Sequence, residues 1–257
     1  MKKLISLLLA AAILLALCSC GKIDKNGGED GLNKVTGAHS RDEFKDSNGK
    51  VVSVLDADLP EIDVTDSKGG AAAINTYFEQ YKNEILGDME KNADNVSEYL
   101  DRFGFKGPRT TKITYEIYYQ SASLLSIILY TASGSDPDSA NADPQLLTFS
   151  LITGSRLSIK EFLIDKNDTN YREEMLEGVI KTADRTYSPN NVPLSEEKKE
   201  LIRSAFLEDE FVVDEDFYTF AFSLPYLSEG SREGYYYCDV PAENVAEHYI
   251  SPAEYKE

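Results

Sequence analysis

Tryptophan is absent from the 257-residue chain, histidine occurs twice and cysteine three times. Three cysteines exclude a disulfide framework, so the fold must be stabilised by an apolar core. Basic residues are also scarce, with 26 lysines and arginines against 45 acidic residues. This balance argues against a nucleic-acid ligand, because phosphates require a basic surface, and against direct adhesion of the folded part to anionic lipids.

Residues 1–22 have the features of an export signal. Two lysines precede an apolar run from Leu4 to Leu17, and Cys18-Ser19-Cys20-Gly21 follows. The run is too short to stay in a bilayer as a spanning helix. Its end resembles the bacterial lipobox, which implies removal of residues 1–19 as a signal peptide and lipidation of Cys20. We therefore predict an exported protein, anchored by lipid at the extracytoplasmic face of the cell membrane.

Processing at this point would leave 24 basic and 45 acidic residues, a formal charge of -21. Such a charge fits plain solubility, and it also fits attraction of a basic partner, so both interpretations stay open. Acylation of Cys20 would leave Cys238 without a disulfide partner. Because Cys238 follows three tyrosines in a β-like run, we predict a buried, unreactive thiol.

The sequence motifs of well-known enzyme classes are absent. Ser195–Lys198 fits S-x-x-K, but the companion motifs of penicillin-recognising enzymes are missing, and a capped helix explains these residues better. A zinc site or a Ser-His-Asp triad would have to use His248, because His39 falls in a predicted spacer. We predict no catalytic, cofactor-binding or metal-binding residue and no enzymatic activity. The abundant carboxylates leave a cell-envelope hydrolase as an alternative.

The acidic loop from Ser133 to Pro144 raises the question of calcium. Its tract from Asp136 to Asp143 is rich in oxygen ligands, but Asn141 and Leu147 occupy the EF-hand positions that require glycine and glutamate. A solvated loop is the simpler interpretation, and a weak, irregular calcium site stays open.

Hydrophobic periodicity predicts an α+β fold, in which an antiparallel β-sheet is packed by one long helix and several shorter helices. Residues 20–47 contain few large apolar side chains and are predicted to be a flexible linker. The longest helical pattern runs from Ile74 to Phe103 and ends at Gly104. Strands are predicted over 111–119, 124–130 and 146–152. We assign a strand-helix-hairpin domain to residues 48–143 and a second α+β domain to residues 144–257.

The second half begins with a predicted Thr153-Gly154 turn and a capping box formed by Ser158 and Glu161. Further helices are predicted over 171–183 and 195–206, and strands over 217–224 and 235–240. A terminal helix is predicted over 241–249.

Residues 148–163 resemble the most recognisable stretch of an extracytoplasmic domain family of unknown function. This family includes the outer part of RsiV-type anti-sigma factors and the N-terminal part of PdaC-type peptidoglycan deacetylases. Its strand, Thr-Gly turn, hydrophobic segment and helix are matched here by Thr153, Gly154, Leu157, Ile159, Glu161, Phe162 and Leu163. Residues 217–226 and 235–241 resemble its closing hairpin with a proline-bearing connection, and residues 51–130 resemble the domain that usually precedes it.

The resemblance implies a surface module that binds or senses an extracellular ligand, since the RsiV type is a receptor for lysozyme. The acidic loop replaces a Gly-Ala-His tract of the family, and the sigma-binding and deacetylase segments are missing, so those activities are not expected. We predict a non-catalytic module whose partner is a basic protein such as lysozyme or a cell-wall glycan such as peptidoglycan. A structural envelope lipoprotein is a further alternative.

Overall fold

A five-stranded sheet forms the first half of the computed structural model. The structure describes residues 34–64, 69–138, 142–187, 193–224 and 234–256. The strands lie side by side in chain order: β1 (Val35–Lys45), β2 (Val51–Ile62), β3 (Arg109–Gln120), β4 (Leu124–Gly134) and β5 (Asp143–Ser150). All neighbours pair antiparallel except β2 and β3, which are parallel because two helices carry the chain back between them.

Strand β1 shows that the predicted linker was wrong for residues 35–45. This segment pairs with β2 from Val35↔Ile62 to Lys45↔Val51, and Val35 and Phe44 contact the core. Its other side chains are largely exposed, which is usual for an edge strand held by backbone hydrogen bonds. The remainder of the predicted linker, residues 20–33, lies outside the described residues.

The long helical pattern is divided between helix α1 (Gly70–Lys91) and helix α2 (Ala93–Phe103). The break occurs at Asn92, whose backbone and side-chain N–H groups both donate to the Asp88 carbonyl, at 3.1 and 2.8 Å. A polar side chain that bonds to the backbone in this way competes with helix continuation. Helix α1 packs Ile74 and Phe78 against the sheet.

Helix α1 begins unusually close to the turn that follows β5. An added Cβ on Gly70 would lie 2.2 Å from the Leu151 carbonyl oxygen, and one on Gly154 would lie 2.5 Å from the Gly70 oxygen. Gly154 also has a φ of 78°, which confirms the predicted Thr153-Gly154 turn. Only glycine fits at these two positions without displacement of the backbone.

The second half builds a three-stranded antiparallel sheet from β6 (Phe211–Val213), β7 (Phe217–Leu224) and β8 (Gly234–Pro241). Helices α3 (Tyr171–Tyr187) and α4 (Glu196–Ala205) cover its inner face and share a core with Tyr218, Phe220 and Cys238. The predicted capping box is present at a 3₁₀ helix, Ile159–Phe162, and Ser195 caps α4 as predicted.

The predicted terminal helix over 241–249 is wrong. Within this range a single 3₁₀ turn forms, Ala242–Val245. Another 3₁₀ turn follows after the range, at Pro252–Glu254. Residues 249 and 250 instead lie alongside the 159–164 segment. The Ile250 N–H donates to the Phe162 carbonyl at 2.9 Å, and Tyr249 pairs with Leu163 as an isolated β-bridge. These long-range backbone bonds compete with helix formation.

The α+β prediction is confirmed, with one parallel pair in an otherwise antiparallel arrangement. Residues 33–257 form one compact unit by their contacts. The predicted boundary between residues 143 and 144 falls at the start of β5, which pairs with β4, and the two-domain division stays a prediction. In the described part of the chain, no helix is long and apolar enough to cross a membrane.

Candidate functional site

The side chains of β4 and β5 divide between two faces of the sheet. Odd-numbered residues such as Ile127 and Leu147 face α1, and even-numbered residues point to the other face. On that second face, the Ser126 and Thr148 hydroxyls are buried under β6, and the Thr148 hydroxyl donates to the Phe211 carbonyl at 2.9 Å. Further along, Ile128 and Leu146 pack on Val212 and form the apolar base of a half-exposed surface.

Four half-buried tyrosines gather around this base. Tyr118, Tyr130 and Tyr237 pack against it, and Tyr235 stands on the same side of β8 as Tyr237. Each hydroxyl has a polar partner. Together with the carboxylates near them, they define what we call the tyrosine–carboxylate surface, which comprises Glu116, Tyr118, Tyr130, Asp143, Tyr235, Tyr237 and Asp239.

Hydrogen bonds connect the rings of this surface to its carboxylates. Tyr130 donates to Glu116 at 3.3 Å, and Tyr235 donates to Asp143 at 2.9 Å. The Tyr118 hydroxyl lies 3.1 Å from the Thr219 hydroxyl, which donates to Asp239 at 2.9 Å. Glu116, Asp143 and Asp239 are all exposed, so each retains free acceptor positions toward solvent.

The charged side chains of the tyrosine–carboxylate surface are all carboxylates. Burial raises the pKa of Tyr235 to about 12, and the hydrogen bond with Asp143 adds to this. Burial also raises the pKa of Tyr130, with Tyr237 and Glu116 contributing. The phenols therefore stay protonated at neutral pH, while three carboxylates supply negative charge. Lys112, four residues before Glu116 on β3, is ion-paired with Asp138.

The acidic loop borders this surface. Two of its carboxylates are engaged, since Asp138 binds Lys112 and Asp143 accepts from Tyr235. Residues 139–141 lie outside the described part of the chain. Within the described residues, no group of three or more His, Cys, Asp or Glu side chains could hold a metal ion.

The other residues that the sequence analysis discussed as possible site residues lie in separate parts of the fold. Cys238 is buried as predicted, and burial raises its pKa to about 12. His248 Nδ1 lies 2.8 Å from Asp168 Oδ2, and its Nε2 lies 3.8 Å from Glu174. His39 stands on β1, 3.8 Å from Asp56. Cys20, the predicted lipidation site, and the predicted Pro225-Tyr226 connection lie outside the described residues.

The sequence patterns did not identify the members of this surface as a group. One signal was present in β8, where Tyr235, Tyr237 and Asp239 alternate with the buried Tyr236, Cys238 and Val240. Alternation alone identifies a solvent-facing side, but it does not show that this side meets Tyr130 from β4. That meeting depends on the packing of one sheet against the other.

Solved structures with a similar architecture are known. One similar structure is a DUF3298 family member from Bacteroides fragilis NCTC 9343, with a TM-score of 0.57 and 12% identity, covering 86% of this chain and 95% of that chain. A DUF3298 protein from Pseudomonas aeruginosa PAO1 has a TM-score of 0.52 and 9% identity, covering 89% and 98%. The chain shares its fold with these DUF3298 proteins.

The likeness to the DUF3298 structures covers most of this chain and nearly all of each solved chain. At 9–12% identity it concerns the fold alone. No family model and no curated protein matches the sequence. The neighbours thus support a domain of unknown function.

Proposed function

We propose that this chain is a non-catalytic binding module, anchored by lipid at the extracytoplasmic face of the membrane, and that it binds a basic extracellular protein. The observation that carries the proposal is the tyrosine–carboxylate surface, where half-exposed aromatic rings stand among exposed carboxylates. The formal net charge of -19 supports it further.

The physical argument concerns lysine and arginine. Tyrosines provide rigid contact area at low entropic cost and are enriched at protein interfaces. A cationic side chain can lie over a ring face while its charge pairs with Glu116 or Asp143. Negative potential over the whole module would also accelerate the encounter with a basic partner.

A cell-wall glycan is the second candidate ligand. The pairing of Tyr235 with Asp143 favours it, because a ring face beside a hydrogen-bond acceptor suits a sugar as well as a cation. Charge distinguishes the two ligands, since glycan binding of this kind would depend little on salt.

The test is a calorimetric titration of the full chain, in non-ionic detergent, with lysozyme as the basic probe. Succinylated lysozyme, whose lysines carry negative charge, is the control ligand. We expect binding of lysozyme only, weakening about tenfold or more as salt screens the charges. The double variant Glu116→Gln/Asp143→Asn should lose most of the affinity, whereas Glu79→Gln/Glu98→Gln, which removes two exposed charges on helices α1 and α2, should not.

Three results would each contradict the proposal and favour one of the alternative functions. Salt-independent binding of peptidoglycan fragments, with none of lysozyme, would favour the glycan. Turnover of muropeptides that is abolished by one Asp or Glu substitution would favour a hydrolase. Crosslinking in cells to envelope proteins alone, without either ligand, would favour a structural lipoprotein.

The anchor is tested separately. Cys20→Ser should move the protein from the membrane fraction to the soluble fraction, because acyl chains supply roughly 0.8 kcal/mol of membrane affinity per buried methylene. An unchanged membrane fraction would contradict lipidation at Cys20.

A further inference from the structure

A hollow of about 580 Å³ opens where the C-terminal segment crosses the start of β7 and the end of β8. Its volume lies within the range usual for small-ligand pockets, about 300–1,000 Å³. The walls combine polar and apolar surface, and the apolar part includes Ile164, Phe217, Ala246 and Ile250. Ile164 is 56% exposed, which is unusual for a large aliphatic side chain.

The walls of this hollow are fixed by hydrogen bonds. The Ile250 N–H donates to the Phe162 carbonyl at 2.9 Å, and the Ile250 carbonyl accepts from the buried Tyr218 hydroxyl. The Ala242 N–H donates to the Asp216 carbonyl at 2.7 Å. A cavity held in this way is preformed, so a ligand would not have to order it.

Three carboxylates from separate segments line the same hollow: Asp216, Glu243 and Glu254. Each is exposed, and none forms an ion pair with another described residue. Among the described lining residues there is no lysine, arginine or histidine. The site therefore combines apolar side chains with three carboxylates that have no ion-pair partner among the described residues.

We propose that this hollow binds an alkylammonium group, either a free aliphatic amine or the side chain of a lysine in a partner. The aliphatic stem would contact Ile164, Phe217 and Ile250 while the ammonium group pairs with the carboxylate rim. Lysine side chains commonly bury their methylenes and leave the charged end at the rim of an apolar surface.

This site shares no residue with the tyrosine–carboxylate surface, whose nearest member along β8, Asp239, lies two residues before Pro241, and it does not depend on the function proposed for that surface. Phe217 and Pro241 are paired at one end of the β7–β8 ladder, and Tyr235 lies near the other end. Six residues of extended strand separate Tyr235 from Pro241, which is about 20 Å.

The test uses the full chain in non-ionic detergent and follows the backbone resonances of Ile164 and Ala246 by NMR. Pentylamine is the probe, and pentanoate is the control of similar length and opposite charge. We expect shifts with pentylamine alone, and an affinity that rises about fourfold for each fully buried methylene from propylamine to pentylamine. Equal shifts with pentanoate would overturn the proposal.

Two variants separate the charge from the cavity. Glu243→Gln/Glu254→Gln should weaken pentylamine binding about tenfold, and the matched Glu79→Gln/Glu98→Gln should not. Ala246→Trp keeps every charge but fills the hollow, and it should abolish binding. Unchanged pentylamine affinity in Ala246→Trp would show that the amine binds elsewhere and would contradict the proposal.

The source of the amine is distinguished by a blocked Ala-Lys-Ala peptide. Shifts with this peptide at similar affinity would support a lysine side chain, and shifts with pentylamine alone would support a small free amine. Glu116→Gln/Asp143→Asn should leave pentylamine binding unchanged. The two proposals can therefore be contradicted independently of each other.

Discussion

The two faces of strand β4 are built from different chemistry. Toward α1, Leu125, Ile127 and Leu129 are all fully buried and apolar. Toward the second sheet, the chain alternates apolar Ile128 with buried Ser126, whose hydroxyl accepts from the Val213 N–H at 3.1 Å. The first face provides hydrophobic stability, while the second also fixes how β6 sits by hydrogen bonds. The candidate surface lies where this second face becomes open to solvent.

The largest effect is expected from the α1 face. Phe149 is 1% exposed and meets Tyr77 and Phe78 edge to face. Phe149→Ala should lower the free energy of unfolding by about 3–5 kcal/mol, through lost burial and a cavity. Urea denaturation measures this. The control is Phe103→Ala, whose ring is 59% exposed and whose change should stay within about 0.5 kcal/mol. Similar losses in both variants would contradict the assignment of Phe149 to the core.

A smaller effect is expected on the second face. Thr148→Val keeps the shape of the side chain but removes the hydroxyl that bonds Ser126 and the Phe211 carbonyl. Leaving these buried groups unsatisfied should cost about 1–3 kcal/mol of unfolding free energy. Thr114→Val, on β3 and half-exposed, is the matched control and should be nearly neutral. A neutral Thr148→Val would mean that the Thr148 hydroxyl does not help to hold β6 in place.

The contact of His248 with Asp168 should make stability depend on pH. The hydrogen bond with Asp168 raises the pKa of His248 above its ordinary value of 6.5, and the same bond lowers the pKa of Asp168 below 3.8. The His248 contribution is therefore complete below pH 6.5 and is lost as pH rises through the raised pKa. The Asp168 contribution is present above pH 3.8 and is lost as pH falls through the lowered pKa.

Urea midpoints between pH 5.5 and 9 would detect the loss at the alkaline side. In His248→Asn the midpoint should vary less over this range, since asparagine does not titrate. Parallel curves for the two proteins would indicate that another group governs the pH dependence.

The smallest change in stability is expected for Tyr235→Phe. Its hydroxyl bonds an exposed carboxylate, so removal should alter the unfolding free energy by less than about 0.5 kcal/mol. Affinity for lysozyme should fall nonetheless, because Asp143 loses the donor that orients it. A variant with reduced stability and unchanged affinity would place Tyr235 in the structural framework and outside the binding surface.

Local sequence signals predicted much of the fold. The capping box of Ser158 and Glu161, the Gly154 turn and the strand predicted over 235–240 depend on neighbours within a few residues, and all three are present. Strand β1 was missed because it is held by backbone pairing with β2. Such pairing does not require many apolar side chains, so the amino-acid composition of the segment does not indicate a strand. The break at Asn92 was missed because the apolar spacing continues across it.

The candidate surface and the hollow could not be predicted in this way. Tyr130 meets Tyr237 only because two sheets pack in one particular register. Likewise, Asp216, Glu243 and Glu254 come together through the path of the C-terminal segment, for which the sequence pattern suggested a helix. Such sites depend on contacts between distant segments, and periodicity carries no information about them.

The parallel pairing of β2 with β3 has a consequence for the order of folding. The β1–β2 hairpin and the β3–β4–β5 meander each join neighbouring segments, so the loops that must close are short. Ser53 and Arg109, by contrast, are paired across more than fifty residues of intervening chain. Since closing such a long loop is entropically costly and slow, we expect the two antiparallel parts to form early and to join through this ladder in a late, rate-limiting step.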